Sequence, residues 1–436
     1  MPAQTRQSDT EVFRRDAAHV LATAQPLLAP LRTQLDTIDP ATLFARVCWS
    51  AVCEPGDRAA GTLIAALGPE AIFPLFAGNE AVVAEALSER QLTGEHDWSA
   101  AIARWRPRLH LERISAACRN AAQVNARVVV PGDAAWPTGL AALGDSQPHA
   151  LWVRGRLEAL AACGKSVAIV GARAASNYGV EAAADLTAGL SDQGFAIVSG
   201  GAYGIDAAAH RTALASDATT VAVLAGGVDR LYPAAHRQLF AQIIHSGAVV
   251  SELIVGQAPE RWRFIQRNRI IAALATVTVI VEAGRRSGAL HTARSALEIG
   301  NPVGAVPGPI HSAASAGCHQ LIRDGLAQLI TGTEDTVQLW RESAGFGWCS
   351  PELQIDIPES VTDSQRSDHA RVATEHSDAA RRIFDALRPR STKTPEALAV
   401  HAGMSMREVR AALVELELSG WAVQHDTGWR RGSGAP

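Results

Sequence analysis

The middle of the chain alternates short apolar runs with stretches long enough for a helix. Six runs rich in Val, Ile and Ala occur between residues 166 and 307: SVAIV, FAIVS, TVAVL, AVVSE, TVTVIV and VGAVP. Parallel strands joined by crossover helices produce this pattern, because such strands are covered on both faces. The pattern therefore predicts an α/β fold built on a doubly wound parallel sheet.

The region before this sheet has a helical pattern. Residues 1–125 are rich in Ala and Leu and are broken by Pro and Gly, so we predict a small helical domain there. Its LGPEA turn, with Gly68 before Pro69, resembles that of SAM-like or helix-hairpin-helix modules, but the same turn also occurs in ordinary helix connectors. Residues 126–156 predict short strands around a proline-rich turn, and we assign residues 126–340 to the α/β core domain.

The C-terminal region combines a polar segment with a compact module. Residues 341–376 are rich in Ser, Asp, Glu, Pro and Gln and predict a linker. Within residues 377–431, Ser405 and Glu408 have the spacing of a helix capping box. A hairpin turn at residues 426–428 follows, so this module is predicted to be a winged helix-turn-helix domain.

Composition narrows the classes of function. The 436 residues carry a formal net charge of −4, which excludes a uniformly basic surface for nucleic acid and restricts any polyanion site to a local patch. Only two lysines occur, so arginine supplies most of the positive charge. The six cysteines lack the spacing of a zinc site, and we predict reduced thiols and neither a metal nor a cofactor. No apolar run approaches the roughly 20 residues of a membrane helix, and residues 1–16 lack an apolar signal region, so we predict a cytoplasmic protein without membrane contact.

Glycine and arginine follow the first predicted strands. Gly171 and Arg173 come after SVAIV, and Gly200, Gly201 and Gly204 come after FAIVS. Parallel strands end at one edge of a sheet, where glycine lets a ligand approach the backbone and helix N-termini offer N–H donors. The spacing does not match the GxGxxG dinucleotide fingerprint. We therefore predict a phosphate-binding edge and not a dinucleotide site.

Acidic and histidine side chains accompany these glycines. Asp206 and His210 lie four residues apart on the helix after the glycine loop, and Glu282 ends TVTVIV. The Asp–His pair could transfer protons, but it also suits the holding of the loop, which we favour. Glu282 could be a general base, bind a ribose or organise the arginine loop beside it. We group these three residues as pocket-shaping and predict no catalytic residue.

The segment RWRFIQRNR at residues 261–269 interleaves basic and aromatic side chains. Such interleaving suits single-stranded DNA, whose bases stack on rings while its phosphates pair with guanidinium groups. An apolar run follows the segment, so Trp262 and Phe264 could belong to the core, and we favour the arginines as contacts. The residues predicted to bind DNA phosphates are Gly171, Arg173, Ser199, Gly200, Gly201, Gly204, Arg267, Asn268, Arg269, Ser287, Gly288 and Thr292.

Together these motifs resemble the DNA-processing protein A (DprA/Smf) family over residues 130–326. The resemblance rests on Asp133, Trp136, Pro137, residues 171–173, Tyr178, Gly179, residues 199–210, Tyr232, Pro233, Phe264, residues 267–269, Glu282, Ser287, Gly288, His291, Thr292, Pro307, Gly308, Gly317 and Cys318. It implies a Rossmann-like domain that binds single-stranded DNA in a positive pocket. It also implies a homodimer formed through that domain and delivery of the recombinase RecA during natural transformation or homologous recombination.

Four positions depart from the family pattern. Ala172 stands where Ser is frequent, and His236 and His319 stand where Asn is frequent. Thr219 occupies a position where a lysine is frequent. If that lysine pairs with a phosphate, its absence lowers the salt dependence of binding by about one unit or less.

The residues alone leave two other functions open. A nucleotide-binding enzyme of the nucleoside-monophosphate phosphoribohydrolase type would use Glu282 as its acid, although the PGGxGT-type loop of those enzymes is absent. A sequence-specific regulator would read duplex DNA with Arg407 and Arg410 of the winged helix, although that module is nearly neutral.

Overall fold

The structure, a computed structural model, describes residues 13, 22, 26–32, 38–345, 372 and 376–433. These residues form an N-terminal group of helices, a nine-stranded sheet with helices on both faces, and a C-terminal module with a two-stranded hairpin. The predicted fold class is therefore confirmed. The domain limits at residues 125, 340 and 376 stay predictions.

The N-terminal helices begin at acidic caps and are joined by aromatic packing. Asp39 accepts two backbone N–H groups at the start of α1 (Pro40–Val52). Trp49 donates its indole N–H to the carbonyl of Pro69 at 2.8 Å, and its ring packs edge-on against Trp105. The other helices are α2 (Arg58–Leu67), α3 (Ile72–Phe76), α4 (Glu80–Glu89), α5 (Trp98–Trp105) and α6 (Leu111–Gln123), with 3-10 turns at Ala29–Leu31, Pro69–Ala71 and Arg106–Arg108.

Nine strands form the central sheet. They are β1 (Arg127–Val129), β2 (Leu151–Gly155), β3 (Ser166–Val170), β4 (Ala196–Ser199), β5 (Thr220–Val223), β6 (Ala248–Ser251), β7 (Val277–Ile280), β8 (Val303–Ala305) and β9 (Gln328–Leu329). Their order is β1-β2-β6-β5-β4-β3-β7-β8-β9. β2 pairs antiparallel with β1 and β6, and all other neighbours are parallel.

The six strands predicted from the apolar runs are β3 to β8, and they are confirmed. The short strands predicted within residues 126–156 also form, and as β1 and β2 they extend the sheet in antiparallel fashion. β9 was not predicted, because a strand of two residues leaves no periodic pattern in the sequence.

Helices cover both faces of this sheet. In β3, Val167 and Ile169 enter the apolar core of one face while Ala168 and Val170 enter that of the other, and all four are buried. One face carries α8 (Asn177–Asp192), α9 (Ile205–Ala215), α10 (Arg237–Ser246) and α14 (Thr333–Gly345). The opposite face carries α7 (Glu158–Ala161), α11 (Arg261–Leu274), α12 (Ala289–Glu298) and α13 (Ala316–Arg323). Further 3-10 turns are Thr138–Ser146, Ala162–Lys165 and Ala234–His236.

The strand order creates a switch point beside β3. The chain lays down β3 to β6 in one direction and then returns to place β7 on the other side of β3. The connections after β3 and β7 consequently run to opposite faces, which opens a crevice at the carboxyl ends of these two strands.

The N-terminal helices share their core with the antiparallel end of the sheet. Trp152 of β2 belongs to the same apolar cluster as Trp49 of α1 and Phe240 of α10. Its indole N–H donates to the hydroxyl of Ser50 at 3.2 Å. The helical region is therefore packed onto the α/β core.

The C-terminal module has the predicted winged-helix architecture. It contains α15 (Asp378–Ala386), α16 (Pro395–Ala402), α17 (Met406–Leu418), β10 (Ala422–His425) and β11 (Gly428–Arg431). Ser405 and Glu408 form the predicted capping box, and β10 and β11 form the hairpin. α14 continues through residues 341–345 of the predicted linker. The rest of that linker lies outside the described residues, apart from residues 372 and 376.

Among the described residues, no single helix is long and apolar enough to cross a membrane. Two successive helical segments, Arg58–Leu67 and Pro69–Phe76, reach the length and apolarity of a membrane span only when they are counted together, and the chain bends by 115° between them. Leu63 and Ile72 of this pair are buried in the core shared with the sheet.

Candidate nucleic-acid interface

The loops that follow the parallel strands meet at one edge of the sheet. Residues 171–176, 200–204, 224–236 and 281–288, together with the first turns of α8 and α11, form this edge, which we call the rim. The N-termini of α8, α9, α11 and α12 and exposed loop side chains lie there, so it is the place where this fold can hold an anionic ligand.

Two backbone contacts fix the rim at the switch point. The N–H of Ala172 donates to the carbonyl of Glu282 at 2.7 Å, and the N–H of Ile205 donates to the carbonyl of Ala172 at 3.2 Å. Gly204 makes this approach possible, because its φ is +73° and a Cβ there would lie 2.2 Å from the Ala172 oxygen. The loop that carries Arg173 is thus held against the start of α9.

Glu282 holds the start of α8 at the rim. Its carboxylate accepts the backbone N–H of Ser176 at 2.9 Å and the Ser176 hydroxyl at 2.8 Å. The same hydroxyl accepts the N–H of Gly179 and caps α8. Glu282 is buried, and each of its oxygens has a partner. Of the three roles considered for it, this geometry fits the organising of a loop.

Asp206 binds the glycine loop at residues 200–204 from within the protein. Its carboxylate accepts the N–H groups of Gly200 at 3.2 Å and Ala202 at 3.3 Å. Burial raises the pKa of Asp206, while the neighbouring Arg267 guanidinium and these N–H groups oppose that rise. The N–H of Gly200, predicted to meet a phosphate, therefore has an internal acceptor.

The arginines predicted as phosphate contacts on α11 face inward. Arg267 donates to the carbonyls of Gly200, at 2.9 Å, and Val223, and burial lowers its pKa to about 10. Arg269 donates to both oxygens of Glu252 at 2.6 Å. Both guanidinium groups are buried within the chain and do not lie open at the rim.

Further predicted residues are also enclosed. Asn268 donates to the carbonyl of Gly288 at 3.3 Å, and the hydroxyl of Ser199 donates to the carbonyl of Ile169 at 2.7 Å. Thr292 is buried in the first turn of α12. The phosphate contacts proposed for all twelve residues stay predictions. By exposure, the structure leaves five of them accessible at the rim: Gly171, Arg173, Gly204, Ser287 and Gly288.

The exposed part of the rim is aromatic and basic. All three tyrosines of the chain lie there, with Tyr178 43%, Tyr203 46% and Tyr232 50% exposed. Arg285 and Arg286 are exposed on the loop after β7. The sequence patterns predict no role for these tyrosines, although the tyrosines are rare and follow β3, β4 and β5 by four to nine residues.

Phe264 connects these exposed side chains. Its half-buried ring has the Arg173 guanidinium 5.2 Å from its centroid and the Tyr232 ring at 5.7 Å. Tyr203 packs on the ring of His236 at 4.7 Å. A guanidinium group beside several partly open rings can contact a phosphate and stack on a base at the same time.

The positions that depart from the family pattern have backbone partners. His236 Nδ1 lies 3.1 Å from the carbonyl of Gly201, and His319 Nε2 lies 3.0 Å from that of Gly308. The carbonyl of Thr219 accepts the N–H of Ile197 at 2.9 Å. Ala172 needs only its backbone for its two contacts at the switch point. His236 and His319 therefore hold loops, and Thr219 lies beside the strands.

His210 lies below the rim, in the core. Its Nδ1 is 2.8 Å from the hydroxyl of Thr220 in β5. Burial lowers the pKa of His210 to about 3, with help from His236 and Arg267. The ring is therefore neutral at pH 7. No hydrogen bond joins it to Asp206 among the contacts of the described residues.

Cysteine and metal chemistry have little support in the described part of the chain. No group of three or more His, Cys, Asp or Glu side chains there could hold a metal ion. The five described cysteines are buried and unpaired, and burial raises the pKa of Cys163 to about 12. Cys349 lies outside the described residues.

Fold and rim define a class of protein: a doubly wound α/β domain with an aromatic and basic switch-point edge, joined to a winged helix. Comparison with known proteins agrees. The model of the family DNA recombination-mediator protein A matches residues 127–341, and that of the DprA winged helix domain matches residues 367–428.

Individual relatives lead to the same family. The chain is 42% identical over 316 residues to the DNA processing protein DprA of Mycobacterium tuberculosis (strain H37Rv), and the aligned residues cover 70% of this chain and 76% of that protein. It is 36% identical over 305 residues to the protein Smf of Escherichia coli (strain K12), covering 70% and 77%. The X-ray structure of DprA from Streptococcus pneumoniae superposes with a TM-score of 0.53 at 30% identity, covering 70% of this chain and 98% of that one. The chain belongs to the DprA/Smf family.

We expect Gly204→Ala to destabilise the protein. The added Cβ meets the Ala172 carbonyl at a φ that side chains rarely adopt, which costs about 3 kcal/mol in the free energy of unfolding. Gly288→Ala is the matched control, because Gly288 lies on the same rim at φ −59° and a Cβ there meets nothing within 4 Å. Urea unfolding of both variants measures the difference, and equal midpoints would contradict the contact.

A second prediction concerns pH. The folded chain holds the pKa of His210 at about 3 against an ordinary value of 6.5, so the unfolded chain binds the proton more readily. The stability contributed by neutral His210 is complete above about pH 6.5 and is lost as the pH falls toward 3. Between pH 7 and 5 the free energy of unfolding should drop by roughly 2 kcal/mol from this residue. His210→Gln should show a correspondingly smaller drop in urea melts, and parallel curves would refute the assignment.

Proposed function

We propose that the chain is a non-catalytic protein that binds single-stranded DNA at the rim, in the processing of DNA for natural transformation or homologous recombination. The observation that carries this proposal is the contact of Phe264 with the Arg173 guanidinium and the Tyr232 ring. A single strand offers unpaired bases together with phosphates, so rings and guanidinium groups can act at once. A duplex hides its base faces, so the same surface favours the single strand.

The cations at the rim form the local patch that the net charge of −4 requires. Arg173, Arg285 and Arg286 are exposed, and together they can neutralise three phosphates, whereas the exposed Arg230 of the rim pairs with Asp229. Three contacts to a single strand predict a slope of about −2 in the logarithm of affinity against the logarithm of salt concentration. Binding should therefore be moderate in its salt dependence.

The family gives the biological setting of the proposal. Relatives named DNA processing protein DprA support a role in DNA processing. We extend this to the delivery of RecA onto the bound strand, to a homodimer formed through the α/β domain, and to a cytoplasmic site of action. The expectation of a nucleotide-cleaving enzyme receives no support at its acid, because Ser176 engages both carboxylate oxygens of Glu282.

Substitution at the rim tests the binding proposal. Arg173→Ala should weaken binding of oligothymidylate by about 1 kcal/mol, roughly fivefold, and reduce the salt slope by about 0.7. Phe264→Ala should cost about 1–3 kcal/mol through lost stacking, whereas Phe264→Trp should retain binding. Fluorescence anisotropy over a salt series measures both effects.

The matched control for this experiment is Arg323→Ala. Arg323 is an exposed arginine at the C-terminal end of α13, away from the rim. The substitution Arg323→Ala removes the same charge as Arg173→Ala. Because position 323 lies away from the rim, the affinity of this variant for oligothymidylate should equal that of the wild type. Equal losses in Arg173→Ala and Arg323→Ala would show that binding depends only on overall charge, and the proposed site would be wrong.

The RecA proposal predicts a separate result. On DNA precoated with a single-strand-binding protein, the wild-type chain should shorten the lag in DNA-dependent ATP hydrolysis by RecA. At protein concentrations below its dissociation constant for DNA, the Arg173→Ala variant should leave the lag as long as it is without the protein. A variant that loses DNA binding yet still shortens the lag would overturn delivery through the rim.

A further inference from the structure

The first turn of α11 joins three regions of the chain through one carboxylate. Glu54, between α1 and α2, accepts the Arg263 guanidinium at 2.7 and 3.1 Å and the Trp262 indole N–H at 3.1 Å. Arg108 reaches the same carboxylate at 2.5 Å. Although burial would raise it, Arg263 and Arg108 hold the pKa of Glu54 well below its ordinary value. Glu54 therefore stays charged at the centre of this junction.

The winged helix enters the junction with the C-terminal end of α16. Arg108 donates to the carbonyls of Val400 at 2.6 Å and His401 at 3.0 Å, and Arg263 donates to the latter at 3.4 Å. Arg382 of the module donates to the carbonyl of Ala402. The last carbonyls of a helix lack partners within it and carry the negative end of its dipole, so guanidinium groups are suitable caps.

A second carboxylate and one glycine complete the contact. Glu260, immediately before α11, lies 2.8 Å from His401 Nε2 and 3.7 Å from an Arg388 nitrogen. Gly403 ends α16 at φ +62°, where a Cβ would lie 2.6 Å from Glu54 Cγ and 2.9 Å from Arg108 Cζ. The winged helix can therefore dock this closely only with glycine at that position.

The charges of the junction do not balance with carboxylates alone. Arg108 and Arg263 pair with Glu54, and Arg388 of the module pairs with Glu260, while helix-end carbonyls accept from Arg108, Arg263 and Arg382. Carbonyls are weaker partners for a cation than a phosphate is. Arg263 immediately precedes Phe264 on α11, a rise of only about 1.5 Å, so the junction adjoins the rim.

From this placement, and resting on the proposed function, we propose that docking of the winged helix competes with single-stranded DNA for Arg263, at the start of α11, and for the neighbouring Arg108. In the docked state the module covers these cations. A strand that extends past Phe264 offers phosphates to them and displaces the module. Because linkage is reciprocal, DNA should release the winged helix, and release of the winged helix should strengthen DNA binding.

The variant Gly403→Ala tests the proposal by pressing a Cβ against Glu54 and Arg108, and it leaves the rim residues and all four arginines in the sequence. Gly325→Ala is its matched control: Gly325 has a φ of +69°, so the backbone strain is similar, but a Cβ there meets nothing within 4 Å. Small-angle X-ray scattering should give a larger radius of gyration for Gly403→Ala than for wild type and Gly325→Ala. Gly403→Ala should also bind a long oligothymidylate at least about fivefold more tightly, with a steeper salt slope.

Two further measurements guard against simple misfolding of the module. Arg108→Met lies outside the winged helix and removes the donor to Val400 and one of the two donors to His401, so it should expand the protein while leaving the module's own sequence intact. Adding long oligothymidylate to the wild type should expand it as well, whereas an oligonucleotide too short to pass Phe264 should not.

The outcomes separate the claims. A Gly403→Ala protein as compact as the wild type would overturn docking through this junction. An expanded variant with unchanged or weaker affinity would overturn the competition. If no version binds oligothymidylate, the wild type included, the proposed function fails and the competition with it, while the scattering result still decides whether the junction holds the winged helix.

Discussion

The need to pair the buried guanidinium groups of α11 organises much of this protein. Each inward-facing arginine of that helix has a fixed partner in another region. Arg263 meets Glu54 between α1 and α2, Arg267 meets carbonyls where β4 and β5 end, and Arg269 meets Glu252 after β6. An unpaired buried charge is costly, so these pairings set where the helix lies against the sheet. The rim residue Phe264 takes its position from this arrangement.

The fold was largely predictable because it depends on regular patterns. Runs such as SVAIV predict strands that are buried on both faces of a sheet, whatever the order of the strands in that sheet. The capping box at Ser405 depends only on local spacing. The antiparallel attachment of β2 beside β6 was not predictable, since pairing partners far apart in sequence leave no trace in either strand. Trp49 and Trp152 share one apolar core, and this contact likewise depends on tertiary packing that local sequence patterns do not predict.

The site was harder to predict than the fold. In RWRFIQRNR the charged residues suggested exposure and the aromatic residues suggested a core, yet Arg267 is buried while Phe264 is half-open. A sequence gives the spacing of side chains along a helix, but it does not give the internal acceptors that make burial of a guanidinium possible. The same applies to Gly200, whose N–H was matched to a phosphate before Asp206 could be seen beside it.

The concentration of all three tyrosines on the rim has a practical consequence for spectroscopy. The ten tryptophans of the chain mask any tyrosine fluorescence, but biosynthetic incorporation of fluorotyrosine would place ¹⁹F nuclei at Tyr178, Tyr203 and Tyr232 and nowhere else. A ¹⁹F spectrum of this 46.0 kDa chain would then contain three resonances, each from the same edge of the sheet. The molecule thus carries its own set of reporters for whatever meets that edge.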